Sequence, residues 1–560
     1  MRRLFSLFFS ILFLLAGFPG AKAQQTLPGQ LIRRGEFYFK FPIKNKNRLQ
    51  AFRHYLSIDK VAGDTVFAYA DKQGFLSFRK LGIPFLPLTP PSLRLSPYRL
   101  KTHPKSSQSW DFYPSYDTYL QIMQNFRKNH PAWCEIVSVG KTVKGRDLLF
   151  AHIGPLAKQA DTLPKFMYTS TMHGDETTGY ILMLHLIDYM LNQYGKDSLV
   201  THLMDSLDIW INPLANPDGT YAGGNSSVYG ATRFNANHVD LNRNYPDPQD
   251  GQHPDGKDWQ PETKAFMQFA ATHHFTLSCN LHTGSEVANY PWDTWPVRSA
   301  DDAWWQKVCR QYADTVHAHA PNGYFTDLND GITNGYDWYS ISGGRQDYMN
   351  YFQNDREFTL ELSSVKMPDP SRLPDYWNYN YRSLLNYMHQ TLEGLRGKVT
   401  DSLTGKPLYA EVFTLKHDTL NAQVYSDSVT GKYFRPIFAG TYDFRFSAQG
   451  YQPKVIRGIR IAGNKPNILN IRLQKDSTSG IYSSQTARYY LFPNPVSRQL
   501  FCTAFAQNSR ATIITLSGKI LFSVRTHKNG SITVSYLPKG CYFLKVVSGN
   551  NVWMGKFIKR

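Results

Sequence analysis

Residues 166–191 of this 560-residue chain read FMYTSTMHGDETTGYILMLHLIDYML, and this stretch decides the fold class. It begins with a short apolar run, 166–169, of the kind that forms a buried strand. A polar turn follows, and residues 178–191 then have the length and apolar spacing of a helix. A buried strand that leads through a turn into a helix is the repeating unit of an α/β domain.

Further strand-like runs lie on both sides of this unit. Because apolar strands that alternate with helices indicate a sheet covered on both faces, we predict an α/β domain over residues 111–393. Functional side chains in such domains gather in the loops at the strand ends. The additional predicted strands are 135–139, 148–153, 207–212, 275–282 and 357–362.

The first 23 residues predict a secretory signal peptide. Arg2 and Arg3 precede an apolar run at 4–18, and Ala21-Lys22-Ala23 supplies a small-x-small cleavage site. A bilayer-spanning helix needs about 20 apolar residues, so this run is too short for one. No other stretch is long and apolar enough, and we expect the mature chain to have no transmembrane span.

The remaining segments predict smaller units around the α/β domain. Residues 24–110 indicate a small mixed module followed by a Pro-rich, basic linker. In residues 394–476, the hexapeptide DSLTGK at 401–406 recurs as DSVTGK at 427–432, which predicts two polar turns in an all-β sandwich. A Ser/Gly/Thr linker at 477–488 leads to a second predicted all-β sandwich at 489–560.

Charge is distributed unevenly along the chain. The net charge is +19, and residues 24–110 and 481–560 each carry +11. Residues 111–395, in contrast, carry 33 acidic and 20 basic residues. A nucleic-acid backbone would be repelled by this acidic domain, so we predict no nucleic-acid partner.

A candidate metal site lies at two of the predicted strand ends. His173 and Glu176 follow the strand at 166–169, and His282 ends the strand at 275–282. Two imidazoles and one carboxylate leave a fourth position for water, which is the ligand count of a catalytic zinc site. A His-x-x-Glu pair alone is a weak signal, because a histidine near a strand end is more often structural.

Neighbouring strings in the same domain strengthen the signal. In order and spacing they resemble the zinc metallocarboxypeptidases, specifically the regulatory branch that includes carboxypeptidases N, E, D and M. The resemblance covers about residues 111–392. The strings are NPDG at 216–219, RFNANHVDLNRNYP at 233–246, QPET at 260–263, NLHTGSEVANYPWD at 280–293, GITNG at 331–335, WYSISGGRQD at 338–347 and TLELS at 359–363.

The resemblance implies a carboxypeptidase-like mixed sheet and one Zn²⁺ per catalytic domain. His173, Glu176 and His282 would be the zinc ligands. Glu361 falls on the family's general base, the carboxylate that takes a proton from the attacking water and passes it to the leaving amine. Independently, a carboxylate beside zinc-activated water is what peptide hydrolysis at neutral pH requires. A strand-end salt bridge is the alternative role for Glu361.

The resemblance also implies the groups that hold the substrate. Arg233 would stabilise the oxyanion, because it places positive charge where negative charge develops. Asn242 and Arg243 would grip the terminal carboxylate, for which a guanidinium fork is the natural partner. Tyr339 would be the mobile tyrosine that caps bound substrate, with ordinary aromatic packing as the alternative.

Substrate preference follows from two further positions. Asp293, eleven residues after His282, matches an acidic residue in the terminal side-chain pocket of the basic-specific enzymes, and Gln346 matches a second lining position. A buried carboxylate attracts a cationic side chain, so C-terminal Lys or Arg is the predicted preference. An exposed turn aspartate is the alternative. The chain departs from the branch after Asp347: it reads YMNY at 348–351, whereas the branch has an aromatic residue, Asn and Tyr directly after this aspartate.

The flanking units carry resemblances of their own. Residues 394–476 resemble the transthyretin-like domain of the regulatory branch. Residues 489–560 resemble the C-terminal sorting domain of type IX secretion, which implies contact with that machinery and a final location that is secreted or on the outer-membrane surface. The N-terminal module is either a propeptide, since its +11 opposes the acidic catalytic domain, or an ordinary accessory domain.

Together these features predict an exported zinc carboxypeptidase that acts on peptides and proteins with basic C-termini. Two alternatives stay open at this point. One is a zinc carboxypeptidase of other specificity, including one that acts on cell-wall peptides. The other is a surface-displayed binding protein whose catalytic domain is a relic, although the presence of Glu361 and all three ligands counts against it.

Overall fold

The computed structural model describes most of the chain. It covers residues 27–97, 100, 109–156, 163–463, 465–476, 491–502, 509–515, 520–526, 531–548 and 551–560. The predicted signal peptide at 1–23 and the linker at 477–488 lie outside these ranges, as does most of the basic linker before residue 109. Within the described ranges, no helix has the length and apolar character needed to cross a membrane.

The N-terminal module is a four-stranded sheet with two helices. The strand order is β2-β3-β1-β4, which makes β2 an edge strand. Buried phenylalanines, including Phe37, Phe39 and Phe78, form its core. The elements are α1 (Gly29–Arg34), β1 (Phe37–Pro42), β2 (Ser57–Ala62), β3 (Thr65–Ala70), α2 (Lys72–Arg79) and β4 (Leu86–Pro87), with 3-10 helices at Lys46–Phe52 and Pro91–Leu93.

The central domain contains an eight-stranded mixed sheet, which confirms the predicted fold class. Its helices and strands alternate along the chain. They are α3 (Tyr116–Asn129), β5 (Cys134–Lys141), β6 (Asp147–Ile153), β7 (Lys165–Ser170), α4 (Thr178–Gln193), α5 (Ser198–Ser206), β8 (Asp208–Asn212), α6 (Pro217–Thr220), α7 (Pro261–His273), β9 (Leu277–His282), β10 (Glu286–Tyr290), α8 (Asp302–His317), α9 (Asp327–Asp330), β11 (Ile332–Asn334), α10 (Gly335–Trp338), α11 (Arg345–Phe352), β12 (Arg356–Leu362) and α12 (Leu373–His389).

The centre of the sheet is parallel and its flanks are antiparallel. The strand order is β11-β10-β12-β9-β7-β8-β6-β5. Strands β12, β9, β7 and β8 run parallel to one another, whereas β10 is antiparallel to β12 and β6 is antiparallel to β8. The carboxyl ends of four adjacent strands therefore share one edge of the sheet, where ligand sites of α/β domains occur.

Both faces of this sheet are buried. Tyr168 of β7 packs into a core with residues of α4, α8 and α12, whereas Met167 packs into a second core with residues of α7 and α11. Successive side chains of a strand point to opposite faces, so one apolar run serves both cores. This arrangement explains why the central strands read as continuous apolar segments.

The next unit is a sandwich of two β-sheets. One sheet has the order β16-β13-β19 with β20 also paired to β13, and the other has the order β15-β14-β17-β18. In both DS-x-TGK turns the leading residue, Asp401 or Asp427, accepts two backbone N–H bonds from within the turn. The strands are β13 (Gly394–Asp401), β14 (Glu411–Thr414), β15 (Val424–Tyr425), β16 (Lys432–Arg435), β17 (Gly440–Ser447), β18 (Lys454–Ile461), β19 (Pro466–Ile468) and β20 (Ile471–Leu473).

A buried ion network joins this sandwich to the central domain. Arg435 of β16 is fully buried and pairs with Asp301 at 2.9 Å and with Asp418 at 2.6 Å. Arg356 of β12 pairs with the same Asp301 at 2.7 Å. Because buried charges are tolerated only when they are paired, this network fixes the two domains against each other.

The C-terminal unit also contains two sheets, with the orders β21-β22-β25 and β24-β23-β26-β27. Leu500, Ile513 and Leu544 belong to the core between them. Cys541 carries a free thiol. The strands are β21 (Leu491–Phe492), β22 (Gln499–Cys502), β23 (Arg510–Thr515), β24 (Ile520–Arg525), β25 (Ser531–Thr533), β26 (Gly540–Ser548) and β27 (Asn551–Lys559).

Candidate metal centre and catalytic cleft

Three parallel strands bring the candidate residues together. His173 follows the carboxyl end of β7, and His282 is the last residue of β9. Glu361 lies near the end of β12 as the register partner of His282. The turn after β7 is packed tightly against α6 at Gly219, because a Cβ on Gly174 would come within 2.3 Å of the Gly219 carbonyl carbon. Only glycine allows that approach.

His173, Glu176 and His282 form one compact cluster of potential ligands. All three side chains are buried, and one ligand atom from each lies within 4.8 Å of the others. The Nδ1 atoms of His173 and His282 are 3.1 Å apart. Each of these nitrogens also lies within 3 Å of a Glu176 oxygen, at 2.9 Å for His173 and 2.8 Å for His282. Two imidazole nitrogens and a carboxylate that lie this close together can share one cation. Zinc is a metal that binds this set of donors.

The electrostatics of the cluster also favour metal binding. Burial lowers the pKa of His282 to about 4, which keeps its imidazole neutral and able to act as a ligand. Burial acts to raise the pKa of Glu176, but the neighbouring His173 and Lys366 outweigh it and hold this pKa well below its usual value. Glu176 is therefore a carboxylate at neutral pH, as a metal ligand must be.

Outer partners orient the two imidazoles. His173 Nε2 donates to Asp240 Oδ1 at 3.0 Å, and the Asn280 side-chain amide lies 2.6 Å from His282 Nε2. Such contacts fix the ring orientation of metal-binding histidines. Neither partner was predicted from the sequence. Asp240 belongs to the quoted string at 233–246, and Asn280 lies two residues before His282, on the same face of β9.

Glu361 borders the same cleft as the three candidate ligands. Its Oε2 atom is buried and has no hydrogen-bond partner among the described residues. Burial and the nearby Glu176 raise the pKa of Glu361 well above its usual value. A divalent cation at the cluster would oppose that shift and favour the carboxylate. The free oxygen is therefore placed to take a proton from a water molecule in the cleft.

Arg233 is buried beside the cluster. Its Nε donates to Asp240 Oδ2 at 3.0 Å, and its Nη1 lies 3.3 Å from Glu176 Oε1. Asp240 thus holds both Arg233 and His173. This shared partner holds the guanidinium beside the metal cluster.

Asn242 and Arg243 border the cleft on a 3-10 turn, Leu241–Arg243, which Asp240 caps. Asn242 Oδ1 accepts the backbone N–H of Arg345 at 2.9 Å. Arg243 Nη1 donates to the Asn242 carbonyl at 2.8 Å, whereas its buried Nε has no partner within the described part of the chain. An unused buried guanidinium N–H costs free energy unless a ligand accepts it. A carboxylate is the natural acceptor.

Asp293 lies at another part of the cleft and is almost fully buried. Its Oδ1 accepts from the amides of Asn289 and Gln346, both at 3.1 Å. Gly335 leaves room for this carboxylate, because a Cβ at that position would come within 1.7 Å of Asp293 Oδ1. Burial raises the pKa of Asp293 to about 6.

Gln346 supports Asp293 from behind. The other end of its amide, Oε1, accepts the backbone N–H of Thr359 at 2.7 Å. Asp347 accepts the backbone N–H groups of Asp293, at 3.0 Å, and of Thr294, at 2.8 Å. Asn350, beyond the extra residue of this segment, donates to the carbonyls of Gln346 and Glu357. The one-residue departure is therefore accommodated inside α11.

Tyr339 is half-buried at the rim of the cleft, and its hydroxyl donates to the carbonyl of Ile58 at 3.4 Å. Ile58 and Asp59 belong to β2 of the N-terminal module, and both border the cleft. The N-terminal module therefore supplies part of the wall of this cleft. All ten site residues named from the sequence thus lie in or directly behind one cleft.

Three segments of the chain match known domain families. Residues 119–383 match the zinc carboxypeptidase family model, residues 394–474 match a carboxypeptidase regulatory-like domain, and residues 490–560 match a secretion system C-terminal sorting domain. Carboxypeptidase A from Helicoverpa armigera has a TM-score of 0.49 and 20% identity over 64% of this chain and 97% of that structure.

Relatives with higher sequence identity are animal carboxypeptidases. Carboxypeptidase M of Mus musculus is 37% identical over 59% of this chain and 76% of the mouse protein. The carboxypeptidase N catalytic chain of Rattus norvegicus is 30% identical over 70% of this chain and 90% of the rat protein. Carboxypeptidase D of Homo sapiens is 35% identical over 68% of this chain, which spans only 28% of the human protein. These matches show that the chain belongs to the zinc carboxypeptidase family.

Proposed function

We propose that this protein is an exported zinc carboxypeptidase that removes C-terminal Lys or Arg from peptides and proteins. One observation supports this most directly. A single cleft contains the cluster of His173, Glu176 and His282 together with two groups that have no hydrogen-bond partner among the residues the structure describes. These are the carboxylate oxygen Oε2 of Glu361 and the Nε of Arg243. Together these groups match the requirements for hydrolysis next to a free carboxyl terminus.

A zinc ion held by His173, Glu176 and His282 would act as a Lewis acid and lower the pKa of the attacking water toward about 7. Glu361 accepts the proton of that water at Oε2 and delivers it to the leaving amine. Arg233 faces the carbonyl oxygen that gains negative charge during the reaction and stabilises it. Burial of these groups strengthens their interactions, since the surroundings have a low dielectric constant.

The substrate would be oriented by its terminal residue. Arg243 and Asn242 bind the free carboxylate, which restricts cleavage to the last peptide bond. Asp293 then faces the terminal side chain, with one oxygen held by Asn289 and Gln346. A cationic side chain compensates this buried charge, whereas an apolar one leaves it uncompensated. This contrast supports a preference for Lys or Arg over Phe, and Tyr339 closes over the bound residue.

The sorting-domain match supports export through type IX secretion, to the medium or to the outer-membrane surface. Mass spectrometry of the mature protein tests this part. We expect a new N-terminus beyond residue 23 and removal of the C-terminal unit. Intact ends on surface-exposed protein would contradict the proposed processing.

Peptide release tests the catalytic proposal. The full chain is incubated with peptides that end in Arg, Lys, Phe or Glu, with and without a chelator. We expect release of Arg and Lys that the chelator abolishes and zinc restores. Preferred release of Phe or Glu would indicate another specificity. No release from these peptides or from cell-wall peptides would leave a non-catalytic binding protein.

A further inference from the structure

The N-terminal module forms part of the wall of the catalytic cleft. Ile58 and Asp59 of β2 border the same cleft as His173, Glu176 and Glu361. The zinc carboxypeptidase match begins at residue 119, so these two residues come from outside the matched region. A substrate that enters the cleft would therefore meet residues of the N-terminal module.

A β-bulge directs Asp59 into the cleft. The register between β2 and β3 shifts between Ile58 and Lys60, which leaves Asp59 without a partner in the ladder. Bulges of this kind re-aim a side chain and are common beside functional sites. Asp59 Oδ2 accepts from the Tyr38 hydroxyl at 2.8 Å, which holds the carboxylate in place.

Asp59 reaches the metal cluster through one ammonium group. Lys366 Nζ lies 2.7 Å from Asp59 Oδ1 and 2.8 Å from Glu176 Oε1. Lys366 is buried, so its ion pair with Asp59 is shielded from water. Such a pair is costly to break when one charge is left without a partner.

Three more buried hydrogen bonds fasten the module around the cluster. The Tyr69 hydroxyl donates to Asp175, next to Glu176, at 2.8 Å. The Ser57 hydroxyl donates at 2.5 Å to Asp240, the shared partner of His173 and Arg233. The remaining bond runs from the backbone N–H of Arg233 to Glu36, at 2.8 Å.

The ion pairs between the module and the catalytic domain differ from what the net charges of the two units suggest. The module is basic overall, yet it presents Asp59 to Lys366 and Asp71 to Lys257 of the acidic catalytic domain. Arg53 and Asp250, 2.9 Å apart, form a pair in which the module supplies the basic side chain. Specific placement of acidic side chains, in addition to general attraction, therefore determines how the module binds.

The module occupies the region that a substrate chain needs. Asp59 lies beside the metal cluster, whereas Asp293 is held by a separate set of partners, Asn289 and Gln346. A peptide whose last side chain reaches Asp293 places its last bond at the cluster. The preceding residues must then pass the cluster, where they meet Ile58 and Asp59.

Tyr339 shows the same conflict. Its hydroxyl donates to the main-chain carbonyl of Ile58. The module therefore already binds the hydroxyl of the tyrosine that would cap a substrate. A bound peptide and the module would compete for this hydroxyl and for the space around it.

We propose that the N-terminal module is an intramolecular inhibitor of the carboxypeptidase site and that Asp59 and Ile58 are the residues that block the cleft. This inference rests on the proposed function. Under such competition, the apparent substrate affinity is the intrinsic affinity multiplied by the fraction of molecules whose cleft is open. Weakening the Asp59 contact raises that fraction and therefore activity on longer peptides.

Variants of the full chain test the role of Asp59. Asp59→Ala removes the carboxylate, and Asp59→Asn removes only its charge. Lys366 keeps Glu176 as a partner in both variants, so neither leaves a buried ammonium unpaired. Asp64→Asn is the matched control, because Asp64 is exposed in the turn at the far end of the same hairpin.

The readouts are kcat/KM on a tetrapeptide that ends in Arg, and binding of that peptide in a Glu361→Gln background. We expect both Asp59 variants to increase kcat/KM and affinity by about tenfold or more, and the control to change neither. Unchanged or reduced values in correctly folded Asp59 variants would overturn the proposal and assign the module a supporting role. Absence of binding and turnover in every variant would instead overturn the proposed function.

Hydrogen exchange tests the competition without any substitution at the interface. If peptide and module exclude each other, each must weaken the binding of the other by the same factor. We expect saturating tetrapeptide, added to the zinc-loaded Glu361→Gln chain, to lower the protection of the β2 amides, Ser57–Ala62. Unchanged or greater protection at saturation would show that both bind together and would overturn the inhibition.

Discussion

Replacing Asp293 with Asn removes one charge from the terminal-residue pocket and leaves its shape unchanged. The Asn289 and Gln346 amides both donate to Oδ1, and an asparagine oxygen can accept the same two bonds. The variant therefore separates the charge of residue 293 from its structural role. An isosteric change also avoids the cavity that Asp293→Gly would create.

The expected loss follows from the burial of the carboxylate. Truncating one partner of a buried charge pair costs about 2–5 kcal/mol, which corresponds to a factor of roughly 30 to 4,000. We expect kcat/KM on peptides that end in Arg or Lys to fall within this range. Peptides that end in Phe should be cleaved equally well or better, because the uncompensated charge is gone.

The pH dependence provides an internal check in the unmodified enzyme. Because burial raises the pKa of Asp293 to about 6, this carboxyl is ionised at pH 7.5 and largely protonated at pH 5. The ratio of kcat/KM for Arg ends to that for Phe ends should therefore fall as the pH is lowered through about 6. Asp293→Asn should abolish this change in the ratio.

The assay measures initial rates on matched peptides that differ only in their last residue, at several pH values. Thermal unfolding of each variant controls for the fold. An equal loss on Arg and Phe ends would refute the pocket assignment, and so would an unchanged Arg preference.

Further substitutions test the other groups. Glu361→Gln should lower kcat by a factor of about 10² to 10⁴ while zinc stoichiometry, measured by atomic emission, stays the same; unchanged turnover would exclude Glu361 as the base. Arg243→Lys keeps the charge but loses the fork, so KM should rise about tenfold or more, and an unchanged KM would argue against a carboxylate grip. Asp240→Asn should weaken zinc binding roughly 10–100-fold in a chelator competition, and equal affinity would remove its orienting role. Arg435→Ala should destabilise the protein by about 3–5 kcal/mol in urea unfolding, because Asp301 and Asp418 lose a buried partner; a change below about 1 kcal/mol would show that the network contributes little.

The sequence predicted the central fold well because the central strands are buried on both faces. Each predicted strand of the α/β domain lies within two residues of an observed strand, and so does helix α4. Strands β10 and β11 were not predicted. They have five and three residues, and runs this short carry little periodicity.

The site was predicted only to the extent that its residues lie in recognisable strings. His173, Glu176 and His282 could be named because each follows or ends a strand of the parallel centre, whereas Glu361 was assigned from its place in the string TLELS. Lys366 could not be named, because its role depends on Glu176, 190 residues earlier in the chain. Contacts over such distances are set by tertiary packing, which local sequence patterns do not encode.

The N-terminal module shows the same limit most clearly. Its net charge suggested attraction to the acidic domain, but the contacts at the cleft place Asp59 opposite Lys366. A one-residue bulge in β2 decides that contact. No composition or periodicity argument could predict the direction of a single side chain.

The most direct test of the metal site is an anomalous difference map, collected at the zinc edge, from crystals of the full chain. The proposed function requires one peak that lies about 2.0–2.2 Å from Nδ1 of His173, Nδ1 of His282 and a carboxylate oxygen of Glu176, with Glu361 facing it across the cleft. A zinc-replete protein with no peak among these three side chains, or with its ion held elsewhere, would contradict the assignment of this cleft as a hydrolytic centre.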